Sequence, residues 1–180
     1  MDLTQIASRL DVKTIFKNEW LSLKDLNGYI YMHQEKSDGK AIAVLIYRSN
    51  KEKPICGRFE RVPCHFDGIT LCALTGMVEN NDFINTAIKE IFEEAGIICT
   101  KNELIDLGTI KNSKASDTVT QLYALDVKDR NIDNDAAIGD GTEGEKDAYC
   151  EWVSYKDAVN CKDPLMATLI KRAEITGILL

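Results

Sequence analysis

The sequence predicts a mixed α/β (α+β) domain, and three observations carry that expectation. Residues 41–47, Ala-Ile-Ala-Val-Leu-Ile-Tyr, form a continuous apolar run of strand length, the pattern of a strand buried on both faces. Residues 83–95 repeat apolar side chains at helical spacing and stop at Gly96, the residue type favoured just past a helix end. Several short β-rich segments bounded by turn residues supply the rest of a sheet. The 180 residues match one domain of about 100–200 residues.

The elements follow in order. A short polar segment leads to Trp20-Leu-Ser-Leu and Tyr29-Ile-Tyr-Met32, and the intervening Asp25-Leu-Asn-Gly28 reads as a hairpin turn. Gly39 and the polar stretch from Ser49 to Pro54 bound the apolar run. Ile55 to Arg61 reads as a short strand, and Ile69 to Leu74 as another that leads to Gly76. Asp82 caps the helix that ends at Ala95. Beyond it, residues 104–107, 118–125 and 148–153 read as strands, and Asp157 to about Ile175 as helix around Pro164.

Composition narrows the function. A chain that is 44% hydrophobic and 28% charged, with 3 Pro and 11 Gly, is neither collagen-like nor largely disordered. Its 22 Lys+Arg against 29 Asp+Glu give a net charge of -7, which argues against a partner such as long nucleic acid or an anionic membrane, whose footprint is a basic face. No stretch reaches about 18 consecutive apolar residues, and the start MDLTQIASRL lacks a basic region running into an apolar one. The expected location is cytoplasmic. Six cysteines without a CxxC pair read as reduced, largely buried thiols, and the isolated His33 and His65 carry no catalytic pattern. Walker, HExxH and GxSxG motifs are missing from the sequence. Asn131, Asp133 and Asp135 imitate the start of a calcium loop, but Ala136 stands where Gly is required and Thr142 where the bidentate Glu belongs.

The chemistry concentrates on the helix FINTAIKEIFEEAG. At about 100° per residue Ile84, Ala87, Ile88, Ile91 and Ala95 share a core-facing stripe. Glu90, Glu93 and Glu94 lie in the adjoining sector, with Glu90 and Glu94 one turn apart. Like charges at that spacing repel by a few tenths of a kcal/mol unless a counter-charge offsets them. Three such glutamates can be a plain solvated face. They also suit a hard cation, because Mg²⁺ and Mn²⁺ take carboxylate oxygens and complete their shell with water and substrate phosphate.

The stretch from Gly76 to Ile97, GMVENNDFINTAIKEIFEEAGI, resembles the signature box of the Nudix hydrolases, Gly-x5-Glu-x7-Arg-Glu-U-x-Glu-Glu-x-Gly-U with U aliphatic. Glu90 to Ile97 match every fixed position. Lys89 replaces the Arg, exchanging a bidentate fork for a point charge. Gly76 and Asp82 keep the first spacing, but six residues instead of seven separate Asp82 from Lys89; otherwise Asn81 occupies the first acidic slot. The resemblance implies a Nudix-type α/β/α sandwich with a mixed sheet (residues 41–180), preceded by an N-terminal β-rich extension (residues 1–40) within the same domain. It further implies a Mg²⁺ or Mn²⁺ cofactor held by the Thr75 carbonyl, Glu90 and Glu94, with Glu93 as a further catalytic or metal-binding carboxylate and Gly76 permitting close approach.

Three features resemble the ADP-ribose pyrophosphatase-like branch of that superfamily. These are the N-terminal β-rich segment, the strand end Arg58-Phe-Glu-Arg61-Val-Pro63, and the acidic loop Gly141-Thr-Glu143-Gly-Glu145-Lys-Asp147. By that resemblance Arg58 or Arg61 contacts substrate phosphate or ribose. Glu143 acts as general base and Glu145 as an extra metal ligand, or the two exchange roles. The substrate is then a small-molecule nucleotide such as ADP-ribose, and the chain a homodimer. Cys72 stands where that branch commonly has Glu, and Lys111-Asn-Ser-Lys-Ala-Ser116 replaces a Ser-Pro-Gly turn, so nucleotide sugars and other dinucleotides remain alternative substrates.

Overall fold

The computed structural model describes residues 11–52, 54–62, 64, 68–139 and 147–179. Strands β1 (Val12–Lys17), β2 (Leu21–Leu26) and β3 (Tyr29–Gln34) form a three-stranded antiparallel sheet of their own. The β2–β3 turn is Asn27-Gly28, both with positive φ (54° and 90°), the conformation that a tight two-residue hairpin requires and that Asn-Gly adopts most readily. Strand β1 is an addition to the sequence expectation. All six of its residues are exposed, Val12, Ile15 and Phe16 among them, and pairing with β2 supports it.

Strand β4 (Lys40–Tyr47) is the axis of the second sheet and is buried on both faces, as its unbroken apolar run implies. It is followed by β5 (Ile55–Arg61), β6 (Ile69–Cys72), β7 (Leu74–Met77), helix α1 (Phe83–Ala95), β8 (Leu104–Lys111), β9 (Val119–Asp126), β10 (Tyr149–Val153), α2 (Tyr155–Val159) and α3 (Pro164–Ile175). The sheet runs β10-β5-β4-β9-β8, with β6 on β5 and β7 on β4. It is mixed, since β4 and β9 are parallel and the other pairs antiparallel. Ile42, Val44 and Ile46 point to a core closed by Ala87, Ile91 and Ala95 of α1. Ala43, Leu45 and Tyr47 point to the opposite core, closed by Met166, Leu169 and Ile170 of α3. The result is an α/β/α sandwich with the N-terminal sheet beside it.

Parts of the sequence reading are corrected: β8 continues to Lys111 rather than ending at 107, and the helical stretch around Pro164 is two helices, α2 and α3. The run Ile69 to Leu74 is two strands rather than one, because the chain turns at Ala73, whose N–H donates to Asp163 Oδ2 at 2.7 Å instead of to a strand partner. The same Asp163 caps α3 by accepting from Leu165 N and Met166 N, with Pro164 at the first helical position. On α1, Ile84 is 40% exposed and Phe83 packs on the core in its place.

Gly96 closes α1 at φ 65°, its N–H donating to the Phe92 carbonyl at 2.9 Å. A Cβ there would fall 2.1 Å from the Asp133 carbonyl oxygen, a backbone atom that cannot step aside cheaply. Gly96→Ala is therefore expected to cost more than about 2 kcal/mol, from left-handed strain plus the clash. The urea midpoint should drop with an unchanged slope.

Candidate active site

The site begins where β7 meets α1. Gly76 lies opposite Ile42 on β4, and a Cβ on it would fall 2.5 Å from Glu90 Cγ and 2.6 Å from Glu90 Oε1. Only glycine leaves room for the Glu90 side chain to lie against the strand. Thr75, half-buried, precedes it. The Asp82 carboxylate starts the helix by accepting from Asn85 N.

Glu94 is not in the solvated sector. It belongs to the buried face of α1 with Ala87, Ile91 and Ala95, and is only 5% exposed. Its Oε2 has no hydrogen-bond partner among the described residues. Burial pushes its carboxyl well above the ordinary range, and the neighbouring Arg58 guanidinium offsets this only in part. An ionised carboxylate so placed is costly without a counter-ion. Glu90, half-buried one turn earlier, lines a cleft of about 630 Å³ with Thr75, Gly76 and Lys89.

These residues fit a divalent cation. The orphaned Glu94 oxygen supplies the reason for one, and Mg²⁺ is commonly held by one or two carboxylates together with substrate phosphate and water. The third glutamate is placed otherwise. Glu93 Oε2 accepts from Lys89 Nζ at 2.7 Å, and that bond raises the lysine pKa so that it stays cationic. Among the described residues no group of three or more His, Cys, Asp and Glu side chains could hold a metal. Thr75, Gly76, Lys89 and Glu90 thus share the cleft, Glu94 lies behind them, and Glu93 is turned to Lys89.

The two arginines part company. Arg58 is 3% exposed, donates from Nη1 to the Glu94 carbonyl at 3.3 Å, and has Nε 3.8 Å from Glu60 Oε2. Its charge is thus buried beside the backbone of Glu94. Arg61 is exposed at the strand end, 4.0 Å from Asp147. Glu143 and Glu145 lie outside the described residues. The flanks of their segment are described: Gly139 N–H donates to the Glu93 carbonyl at 3.0 Å, and Asp133 N–H to the Ala95 carbonyl at 2.9 Å. Asn134 uses its side-chain amide to bond both the N–H and the carbonyl of Cys150 on β10.

The far wall of the cleft comes from the N-terminal extension, which the family resemblance associates with substrate contacts, and from the β8–β9 connection, though sequence reasoning named none of its individual side chains. Met32 and Gln34 face it from the N-terminal sheet, Lys36 from the turn that follows, and Ser113, Ser116 and Thr118 from the β8–β9 connection. The two are joined by Met32 N–H to the Ala115 carbonyl at 2.8 Å and by His33 Nδ1 to Asp117 Oδ2 at 2.9 Å. Contacts spanning some eighty positions leave no local signal.

Fold and site together describe a mixed-sheet sandwich that presents a carboxylate-bearing helix to a cleft of ligand size. The NUDIX domain family model matches residues 30–173, and the chain belongs to that family of pyrophosphohydrolases, which act on small nucleotides and generally use divalent ions such as Mg²⁺. No curated protein matches the chain significantly. Among solved structures, an ADP compounds hydrolase is similar at TM-score 0.59 and 14% identity, covering 94% of this chain and 95% of its own. A chain in the complex between the C-terminal domain of mouse MUTYH and human PCNA is similar at TM-score 0.55 and 12% identity, covering 78% and 90%. A structure from work on MutT from Aliivibrio salmonicida and Vibrio cholerae gives 0.52 and 16%, covering 76% and 97%. At these identities the likeness is one of fold. No helix is long and apolar enough to cross a membrane among the described residues.

Proposed function

We propose that the chain is a Mg²⁺-dependent hydrolase of a nucleoside diphosphate linked to a second moiety, with ADP-ribose as its substrate and AMP and ribose 5-phosphate as products. The observation that carries this reading is the buried Glu94 carboxyl with an unsatisfied oxygen, one turn from Glu90 at the cleft. Glu90, Glu94 and the Thr75 carbonyl would hold the cation. When bound, it would polarise a phosphoryl oxygen and neutralise charge on the departing phosphate.

The chain's own groups do the rest. Arg58 offsets in part the burial that raises the Glu94 pKa, and Gly76 leaves the space that the Glu90 side chain occupies. Glu143 accepts the proton of a water as its oxygen attacks one phosphorus, the bridging P–O bond breaks, and each product keeps one phosphate; Glu145 is an additional ligand. The bond from Gly139 to Glu93 supports this assignment, since it ties the residue before that segment to the helix. Arg61, exposed on β5, or Arg58 contacts substrate phosphate or ribose. The ADP branch of the reading draws support from the ADP compounds hydrolase, whose match extends over the N-terminal sheet. Exposed Ile15, Phe16, Tyr29 and Ile30 on that sheet support a homodimer, and six unpaired thiols support a cytoplasmic location.

The Lys89–Glu93 ion pair favours a second reading, a nucleotide sensor that binds without cleaving. A panel of ADP-ribose, ADP-glucose, NADH and diadenosine polyphosphates, incubated with Mg²⁺ or Mn²⁺ and resolved by chromatography, separates the two. AMP is expected from ADP-ribose; binding without any product would establish the sensor.

A further inference from the structure

Two ammonium groups line the cleft, and a carboxylate of the chain itself faces both. Lys36 comes from the turn after β3, Lys89 from α1, and Glu79 from the loop that joins β7 to α1. The Lys89 pKa is raised first by its bond to Glu93 and further by nearby charge, that of Glu79 included. Lys36 Nζ lies 3.8 Å from Glu79 Oε1. The two lysines are held differently. Lys89 donates to Glu93 at 2.7 Å, whereas the Lys36–Glu79 separation is longer than a hydrogen bond. Both members of that second pair are solvent-accessible, and an exposed pair at such a distance contributes little.

The place of the Lys36 ammonium is set by an aromatic ring rather than by that pair. It stands 4.9 Å from the Trp20 ring centroid, within reach of the ring's negative face. The indole is itself held, because Trp20 Nε1 donates to Glu19 Oε1 at 3.1 Å and the Trp20 carbonyl accepts from Glu35 N at 2.9 Å. The adjacent Glu35 carboxylate is engaged by Lys17 and does not compete for Lys36. A lysine whose stem is already placed loses less freedom when it takes a ligand. Its compact charge suits a phosphate oxygen, and Glu79 supplies at that position the negative charge that such an oxygen would bring.

Resting on the hydrolase reading above, we infer that Lys36 is a substrate-binding residue whose ammonium takes a phosphate oxygen of the nucleotide in exchange for Glu79, which competes for the same charge. The two residues then act on affinity with opposite signs. Removing the Lys36 charge weakens binding, and removing the Glu79 charge strengthens it. A merely structural link between the N-terminal extension and the loop before α1 would weaken binding in both cases.

Calorimetry of ADP and of adenosine in Mg²⁺ tests this whether or not the chain hydrolyses anything. The wild type is expected to bind ADP more tightly than adenosine. Lys36→Met, which keeps an apolar stem on Trp20 and removes the charge, should weaken ADP about tenfold and leave adenosine unchanged, while Lys36→Arg retains ADP binding. Glu79→Gln should tighten ADP about threefold, and that gain should shrink in the variant carrying both Lys36→Met and Glu79→Gln. In the hydrolysis assay Lys36→Met should raise KM for ADP-ribose about tenfold with a smaller change in kcat. Wild-type binding of ADP no tighter than of adenosine, undiminished ADP binding in Lys36→Met, or weaker ADP binding in Glu79→Gln overturns the role of Lys36. ADP binding that depends on Lys36 and is tightened by Glu79→Gln, without hydrolysis of any compound, overturns the hydrolase reading alone.

Discussion

Glu94→Gln is expected to lower Mg²⁺-dependent hydrolysis by about 10³-fold while leaving a protein that is more stable than the wild type at neutral and alkaline pH. The loss follows from removing a carboxylate worth several kcal/mol of charge stabilisation through its cation. The gain in stability follows from burial. The folded pKa of Glu94 lies above its unfolded value, with desolvation the leading cause and Arg58 opposing it. The folded state therefore holds that proton more tightly. The associated stability is fully present below the unfolded pKa and is lost as pH rises through the folded one. Gln at this position carries no such slope. Melting in EDTA at pH 5 and pH 8 should show the wild type losing more stability than the variant across that interval. At pH 8, Mg²⁺ at about 100 times its dissociation constant should restore about 2.7 kcal/mol to the wild type, or roughly 5–10 °C for a domain of this size, and nothing to Glu94→Gln.

Gly76→Ala is the second large effect, and it separates geometry from folding. The new Cβ would occupy space now filled by Glu90 Cγ, Cδ and Oε1, all within 2.7 Å. These are atoms of a side chain that can rotate away, so the fold should survive with little change in melting temperature. The displaced carboxylate should reduce kcat about 10²-fold, the scale that a misplacement of roughly 1 Å produces. A variant with wild-type turnover would show that Glu90 has no part in the reaction.

Much of the fold was legible because it is written locally. The run Ala41 to Tyr47 could only be a strand with cores on both sides, and Asp82 and Gly96 bracket α1 by capping chemistry that acts within a few residues. Asn27-Gly28 names its own turn. What escaped depends on partners distant in sequence. Strand β1 needs β2 to exist, and the break at Ala73 needs Asp163. The site divides the same way. Thr75, Gly76 and Glu90 are brought together by one strand, one turn and one helix, so their spacing was sufficient. Arg58 reads only as a cation at a strand end, because nothing along the chain says that it sits beside Glu94. The place of Glu94 itself was available: it lies three residues after Ile91 and seven after Ala87, the spacing of the buried stripe. A carboxylate in an apolar stripe is the signal that distinguishes it from Glu93.

The acidity of the chain also has an address. Between Asp126 and Asp147 stand eight acidic residues against three basic ones, in the segment that packs on the C-terminal end of α1 through Asp133 and Gly139. We propose that an anionic substrate meets the chain only with a divalent cation in place.

That claim is tested most directly by incubating the wild-type chain with ADP-ribose, with Mg²⁺ and with EDTA, and separating the products. AMP and ribose 5-phosphate should form in equal amounts with Mg²⁺ and neither with EDTA. Cleavage at the same rate in EDTA, or ADP-ribose bound in Mg²⁺ and recovered intact, would contradict it.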